Sequence, residues 1–195
     1  YFSYLALGIT LWNCIADSMS IGSKFILDSA NQILNTTCSL RSIFLRKFFY
    51  ICQNLLIGLF SILLVISFVN TQLISNYLNL FLPLLIFLMF NLLIILYFSL
   101  IGCLIRDFAE LVPLLTTLIF LGSPILYPAS RLENLAWIND FNIPYRILDL
   151  VRTTILTGEI NYLQCLIILF IQIVIVIFTF LLLETKRSQI ALWCD

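Results

Sequence analysis

Long apolar runs without charge divide this chain. Residues 48–105 contain no Asp, Glu, Lys or Arg. About 20 apolar residues carry a helix across the hydrocarbon core, so this run is too long for one span and long enough for two. The polar cluster Asn70, Thr71, Gln72, Ser75 and Asn76 divides it. The pattern predicts helices over 49–69 and 79–104. Pro83 falls in the first turns of the second, where its missing N–H does little harm. Residues 111–130 and 160–183 are also free of charge, which predicts helices over 111–127 and 161–183. The apolar run Tyr1 to Ala16 predicts a fifth helix, continuing past Gly22 with Lys24 and Asp28 at i,i+4. In lipid every backbone polar group must be satisfied internally, so these spans are helices and not open strands.

Two connections carry patterns of their own. The segment 31–47 mixes Ile33, Leu34, Leu40, Ile43, Phe44 and Leu45 with Arg41, Arg46 and Lys47. It suits an amphipathic element lying against headgroups or a partner; an ordinary basic loop beside the membrane gives the same pattern. The segment 128–160 is longer than a connection needs. Within it Ile143, Ile147, Leu150, Val151 and Ile155 recur at helical spacing, with Pro144 early and Gly158 late. That predicts a surface amphipathic helix over 144–157.

Composition turns these runs into a class. Of 195 residues, 62% are hydrophobic and 10% charged, against about 45–50% and about 25% in an ordinary globular domain. A soluble chain this small cannot cover so much apolar surface. A soluble enzyme, a disordered chain and a nucleic-acid-binding module are excluded. The expected fold is an all-α integral membrane protein: one transmembrane domain over 1–195, with about five spans, short outer amphipathic helices and an inner basic element.

Charge orients it. One set of loops, 23–47, 105–110 and the tail from 184, holds Lys24, Arg41, Arg46, Lys47, Arg106, Lys186 and Arg187. The other, 70–78 and 128–160, holds Arg131, Arg146 and Arg152 beside Glu133, Asp140, Asp149 and Glu159. The positive-inside rule makes the first set cytoplasmic, with the C-terminus inside and Tyr1 outside. An outside start in mid-hydrophobic sequence implies a fragment lacking an upstream span.

Little chemistry is visible. There is no histidine, which removes the commonest general base and metal ligand. No two of the six cysteines have CxxC spacing; Cys14, Cys52, Cys103 and Cys165 read as small buried hydrophobes. No phosphate loop is present, so no Walker-type ATP hydrolysis is expected here. The four outer acids read as a solvated face rather than a glycosidase pair. Asp17 is the one acid within a span, either a substrate-path residue or a partner for Lys24. The scarcity of buried ionisable groups argues against a proton- or sodium-coupled carrier. Tyr1, Tyr4, Tyr127, Trp137, Tyr145 and Tyr162 fall on the outer side, as an aromatic belt or as stacking faces for sugar rings. Asp149 and Arg152 share a helix face.

Three stretches resemble one family. YLALGITLWNCIADSMSIGSKFILDSANQIL (4–34), with Gly8, Trp12, Gly22, Phe25 and Ile26, is similar to the second span and inner turn of type-2 ABC exporter permeases, in the branch that exports O-antigen and related lipid-linked polysaccharides. IRDFAELVPLLTTLIFLGSPILYP (105–128) resembles the family's fourth inner turn and fifth span, with Arg106, Asp107, Ser123-Pro124 and Tyr127-Pro128. FNIPYRILDLVRTTILTG (141–158) resembles its outer gate helix. Two departures stand out: Thr37, Cys38 and Ser39 replace the usual proline of the inner loop, and Asn-Pro is spread to Asn142-Ile143-Pro144.

The resemblance implies a half-transporter in a bacterial inner membrane, with a second permease copy beside it and an ABC ATPase dimer below. ATP and Mg would be held by that partner, and this chain would carry no cofactor or metal. Ile33, Leu40, Arg41, Ile43, Phe44, Arg46 and Lys47 would couple to the ATPase. Trp12, Asp17, Tyr127, Tyr145, Asp149 and Arg152 would line the gate and path for a polyprenyl-linked glycan. A permease for a small amphiphile, a membrane-embedded enzyme and a non-transporting scaffold are the alternative classes.

Overall fold

Polar breaks and prolines decide where the helices stop. The computed structural model describes residues 2–35, 40–69, 71–105, 107–127 and 141–185. Helix α1 is Phe2–Asn35 and α2 is Leu40–Val69. A 3-10 segment, Thr71–Leu80, occupies the polar cluster and leads into α3, Phe81–Leu104. Then come α4, Phe108–Gly122, α5, Ile143–Thr157, and α6, Tyr162–Thr185. Among the described residues there is no strand. Four stretches, Phe2–Ile26, Arg41–Val69, Thr71–Leu104 and Tyr162–Thr185, are long and apolar enough to cross a membrane. The chain is an all-α membrane protein.

Helix α3 is the centre. Ile86, Phe87, Asn91, Ile95, Leu96, Ser99 and Gly102 are all buried along it. Its closest neighbour is α1, and small residues let the two approach. A Cβ on Gly102 would be driven into the backbone carbonyl of Ser23, and one on Gly22 would reach within 3.0 Å of the Ile95 Cα. Between these contacts and Tyr4, Ser18 Oγ donates to Asn91 Oδ1 at 2.8 Å. Small residues plus one buried polar pair hold helices together in lipid, where apolar contact alone gives no drive over lipid tails. Helices α2 and α6 lie outside, with Ile57, Phe60, Phe68, Phe170, Ile171 and Phe178 exposed. These side chains face hydrocarbon in a membrane.

The helix ends collect on two faces. On one, Ser67 meets Tyr77, Asn76 donates to the Ile155 carbonyl, Asn79 donates to the Gly158 carbonyl, and Tyr162 donates to Asn79. On the other, Arg41 pairs with Glu184. The polar cluster thus lies on one face and the Arg41–Glu184 pair on the other.

Two expectations about elements need correction. The helix expected over 111–127 ends at Gly122. Its 15 residues rise about 22 Å, short of the ~30 Å hydrocarbon core. Ser123 turns to φ −101°, ψ 143°, because the ring of Pro124 excludes helical geometry from the residue before it. The basic amphipathic element expected over 31–47 is not a separate element either. Its two parts are the last turn of α1 and the first turns of α2, and 36–39 lie outside the described residues.

Helix α5 does not cross. Asn142 Nδ2 donates to Ser123 Oγ at 2.6 Å, which places the start of α5 beside the broken end of α4. Gly158, at φ +76°, ends it against Asn76. Helix α5 thus runs from the depth at which α4 stops up to the polar ring, packed on α1, α3 and the 3-10 segment. The Asn142 side chain caps it by accepting from the Tyr145 N–H, and Pro144 sits in the first turn.

Candidate functional site

Two groups of polar side chains lie inside the membrane-spanning part of the molecule. The first is built around Arg152. Val151, Ile155, Leu148 and Ile147 bury one face of α5, and that face carries Arg152 with it to complete burial. Its guanidinium stacks on the Tyr4 ring, 3.9 Å from the centroid. Nη1 and Nη2 donate to the carbonyls of Pro124 and Ile125, each at 3.4 Å. These carbonyls are free because Pro124 has broken α4. Tyr4 shares its hydroxyl proton between the carbonyls of Pro124 and Tyr127. Gly8 makes the room: a Cβ there would collide with Arg152 and come within 3.0 Å of the Ile125 carbonyl. One turn back, Asp149 Oδ1 stands 3.8 Å from Nη1 and keeps 32% of its side chain exposed. Nε has no partner.

This is a clamp joining α5, α1 and the end of α4.

The second group runs along α1. Thr10, Asn13, Asp17, Ser20, Lys24 and Asp28 follow one another at intervals of three or four residues and so share one face. Thr10 is half-buried and the other five are exposed. The opposite face of the same helix holds the buried Leu11, Ile15, Ser18, Phe25 and Ile26. A cavity of about 240 Å³ opens on the stripe where α1 meets α2, lined by Thr10, Asn13, Cys14, Asp17, Ile51, Asn54, Leu55 and Gly58. A second, of about 130 Å³, lies further along the same seam between Ser20, Lys24, Asp28 and Lys47. A stripe of amide, carboxylate, hydroxyl and ammonium groups facing hydrocarbon is costly. It is suited to water, a polar solute or a polar partner.

The expected site residues separate accordingly. Asp17 lies on the stripe, and no ion pair joins it to Lys24 among the described residues. Trp12 lies off it: the indole is buried and packs on Phe120 at 5.7 Å between α1 and α4. Tyr145 is 6% exposed, so its ring faces protein rather than offering an open stacking surface, because the apolar stripe of α5 turns that side inward. Asp149 and Arg152 are brought together, but Arg152 faces α1 and not an open mouth. Tyr127 contributes its carbonyl to Tyr4. Asp107 is exposed at the start of α4, while Arg106 lies outside the described residues.

Of the residues expected to couple to a partner, Ile43 and Phe44 are buried. Phe44 stacks on Phe25 at 4.0 Å and meets Phe180 edge-on at 6.1 Å. They belong to the bundle's own core, so these two side chains are not free to dock elsewhere. Arg41 is engaged by Glu184, whereas Arg46 and Lys47 are exposed. Ile33 and Leu40 lie in the last turn of α1 and the first of α2.

The polar recurrence from Thr10 to Asp28 was readable in the sequence as a period near 3.6 and passed unnoticed among the apolar residues between. The partnership of Gly8 and Tyr4 with Arg152 had no local signal, since about 145 residues separate them. No protein-family model matches this chain, and no curated protein matches it.

Proposed function

We propose that this chain is the membrane-spanning subunit of an ATP-driven exporter that moves a lipid-linked polysaccharide across a bacterial inner membrane. The polar stripe of α1 carries this reading. Its side chains hydrogen-bond in both directions, as a hydroxyl-rich cargo requires, and they extend through the apolar span. A single stripe makes half of a wet path; a second copy supplies the other half. The broken α4 and the clamped α5 support the reading too, since two short helices that stop within the bundle suit a gate at one end of a path. The resemblance of 4–34, 105–128 and 141–158 to type-2 ABC permeases points the same way. ATP and Mg would reside in a separate ATPase dimer, bound on the face of the α1–α2 turn and of Glu184, which the basic loops make cytoplasmic. With Ile43 and Phe44 in the core, coupling falls to Arg46, Lys47 and the turn itself.

Replacing Asn13 and Asp17 together by Leu tests the reading. Surface glycan in cells should fall at least about tenfold, the scale of leaving a polar cargo unpaired, with membrane levels unchanged. Full export by that variant, or the lack of an ATPase that copurifies with the tagged chain, would overturn it.

A further inference from the structure

The second cavity on the α1–α2 seam has a chemistry distinct from the first. The upper cavity offers amides, a hydroxyl and one carboxylate; the lower offers two ammonium groups, Lys24 and Lys47, with Ser20 and Asp28. No ion pair joins Lys24, Asp28 or Lys47 among the described residues. Arg41, on the same face, is neutralised by Glu184. Two cations from different helices therefore border one cavity with a single carboxylate against them among the described residues, which gives their part of the site a net positive charge.

Depth gives the site its meaning. Lys47 is 20 residues from Ser67 on α2, or about 30 Å along the axis, equal to the hydrocarbon thickness. Ser67 meets Tyr77 in the polar ring of the opposite face, so Lys47, and Lys24 beside it on the same cavity, fall at the depth of a bilayer's phosphates. Ammonium groups bind phosphate as point charges and can rotate their donors to suit it. A seryl hydroxyl beside them adds a neutral donor. Lysines that merely snorkel to the interface would not converge from two helices on one cavity.

We propose that the cavity between Ser20, Lys24, Asp28 and Lys47 binds a phosphate group carried on a lipid, at the basic end of the α1 stripe. Binding itself is independent of the exporter; only its use as the entry point for cargo rests on that reading. Asp28 opposes the anion and so sets how weakly it is held.

The test uses the full chain in phosphatidylcholine nanodiscs doped with polyprenyl phosphate, with phosphatidylglycerol, or bathed in inorganic phosphate. Native mass spectrometry counts the lipid retained. Polyprenyl phosphate should be retained by the unchanged chain and by Lys24→Arg. Retention should fall at least about tenfold in the Lys24→Gln, Lys47→Gln double variant, as expected for losing charge-assisted bonds. Asp28→Asn should tighten binding, an effect that damage to the fold would not produce. Phosphatidylglycerol held through the same two lysines would support the site with a bilayer lipid as occupant; selectivity for polyprenyl phosphate would support it with a carrier lipid. Equal retention by the double variant, or displacement of lipid by inorganic phosphate alone, would overturn it. A missing ATPase would leave these results untouched, so the two readings fail separately.

Discussion

Arg152 is the side chain with most at stake. Its charge is fully buried, and its countercharge, Asp149, is about a third exposed. The two ends of this pair are therefore unequal. Asp149→Ala strands a dry guanidinium among carbonyls and one aromatic ring. Arg152→Met leaves an acid that still reaches water, while Tyr4 continues to serve the Pro124 carbonyl. We expect Asp149→Ala to destabilise the protein by about 2 kcal/mol, below the ~3–5 kcal/mol of a wholly buried pair, and Arg152→Met by less. Unfolding in detergent, followed by helical signal, gives the order directly. Gly8→Ala forces a methyl group into the guanidinium and should lower stability by about 1–3 kcal/mol, the scale of overpacking. If Gly8→Ala with Arg152→Met is no worse than Gly8→Ala alone, the collision is confirmed as the cause. The i,i+3 relation of Asp149 and Arg152 could be read from the sequence, since helix geometry is local. What surrounds Arg152 could not, because it depends on where α4 breaks and on a glycine at the far end of the chain.

At the scale of elements, hydropathy placed α3 and α6 within two residues at both ends and α2 at its last residue, Val69, though α2 begins nine residues before the expected 49, because the absence of water demands long apolar helices. It overextended α4. The run 111–127 is apolar throughout, and apolarity alone says nothing about backbone direction; Gly122-Ser123-Pro124 does, and was the signal to weigh. The start of α2 misled for a related reason. Ile43, Phe44 and nearby cations resemble a surface element, yet an apolar residue next to an arginine is also what a helix shows where it enters its own bundle. Ile43→Asp with Phe44→Asp should therefore unfold this end of the molecule rather than uncouple it from a partner. The loss should exceed the ~3–5 kcal/mol typical of Phe→Ala in a core, and the variant should be missing from membranes. The approach of α1 to α3 makes a second case. Gly102→Leu cannot be accommodated against the Ser23 backbone, so the helices must separate and the Ser18–Asn91 bond must break. A drop in the detergent unfolding midpoint larger than that of Gly122→Leu, a site with open space around it, would show this.

For the whole molecule, lipid-facing hydrocarbon on α2 and α6 contrasts with the polar face of α1. In a cysteine-free background, single cysteines at 13, 17 and 20 should react with a charged, membrane-impermeant thiol reagent in isolated membranes, while cysteines at 57, 60 and 171 should not. Equal protection of all six would mean that the α1 stripe is covered. The Arg152 clamp also imposes an order of events in time. Tyr4 and Gly8 are made first and Arg152 nearly 150 residues later. Until α5 emerges, the notch at Gly8 stands empty and the carbonyls released by Pro124 lack their arginine. Helix α1 must wait in the bilayer for α5, and a nascent chain halted before residue 141 would hold α1 to the end of α4 at that level through Tyr4, without the arginine. Emergence of α5 is thus the step that locks α1 to the end of α4 through Arg152.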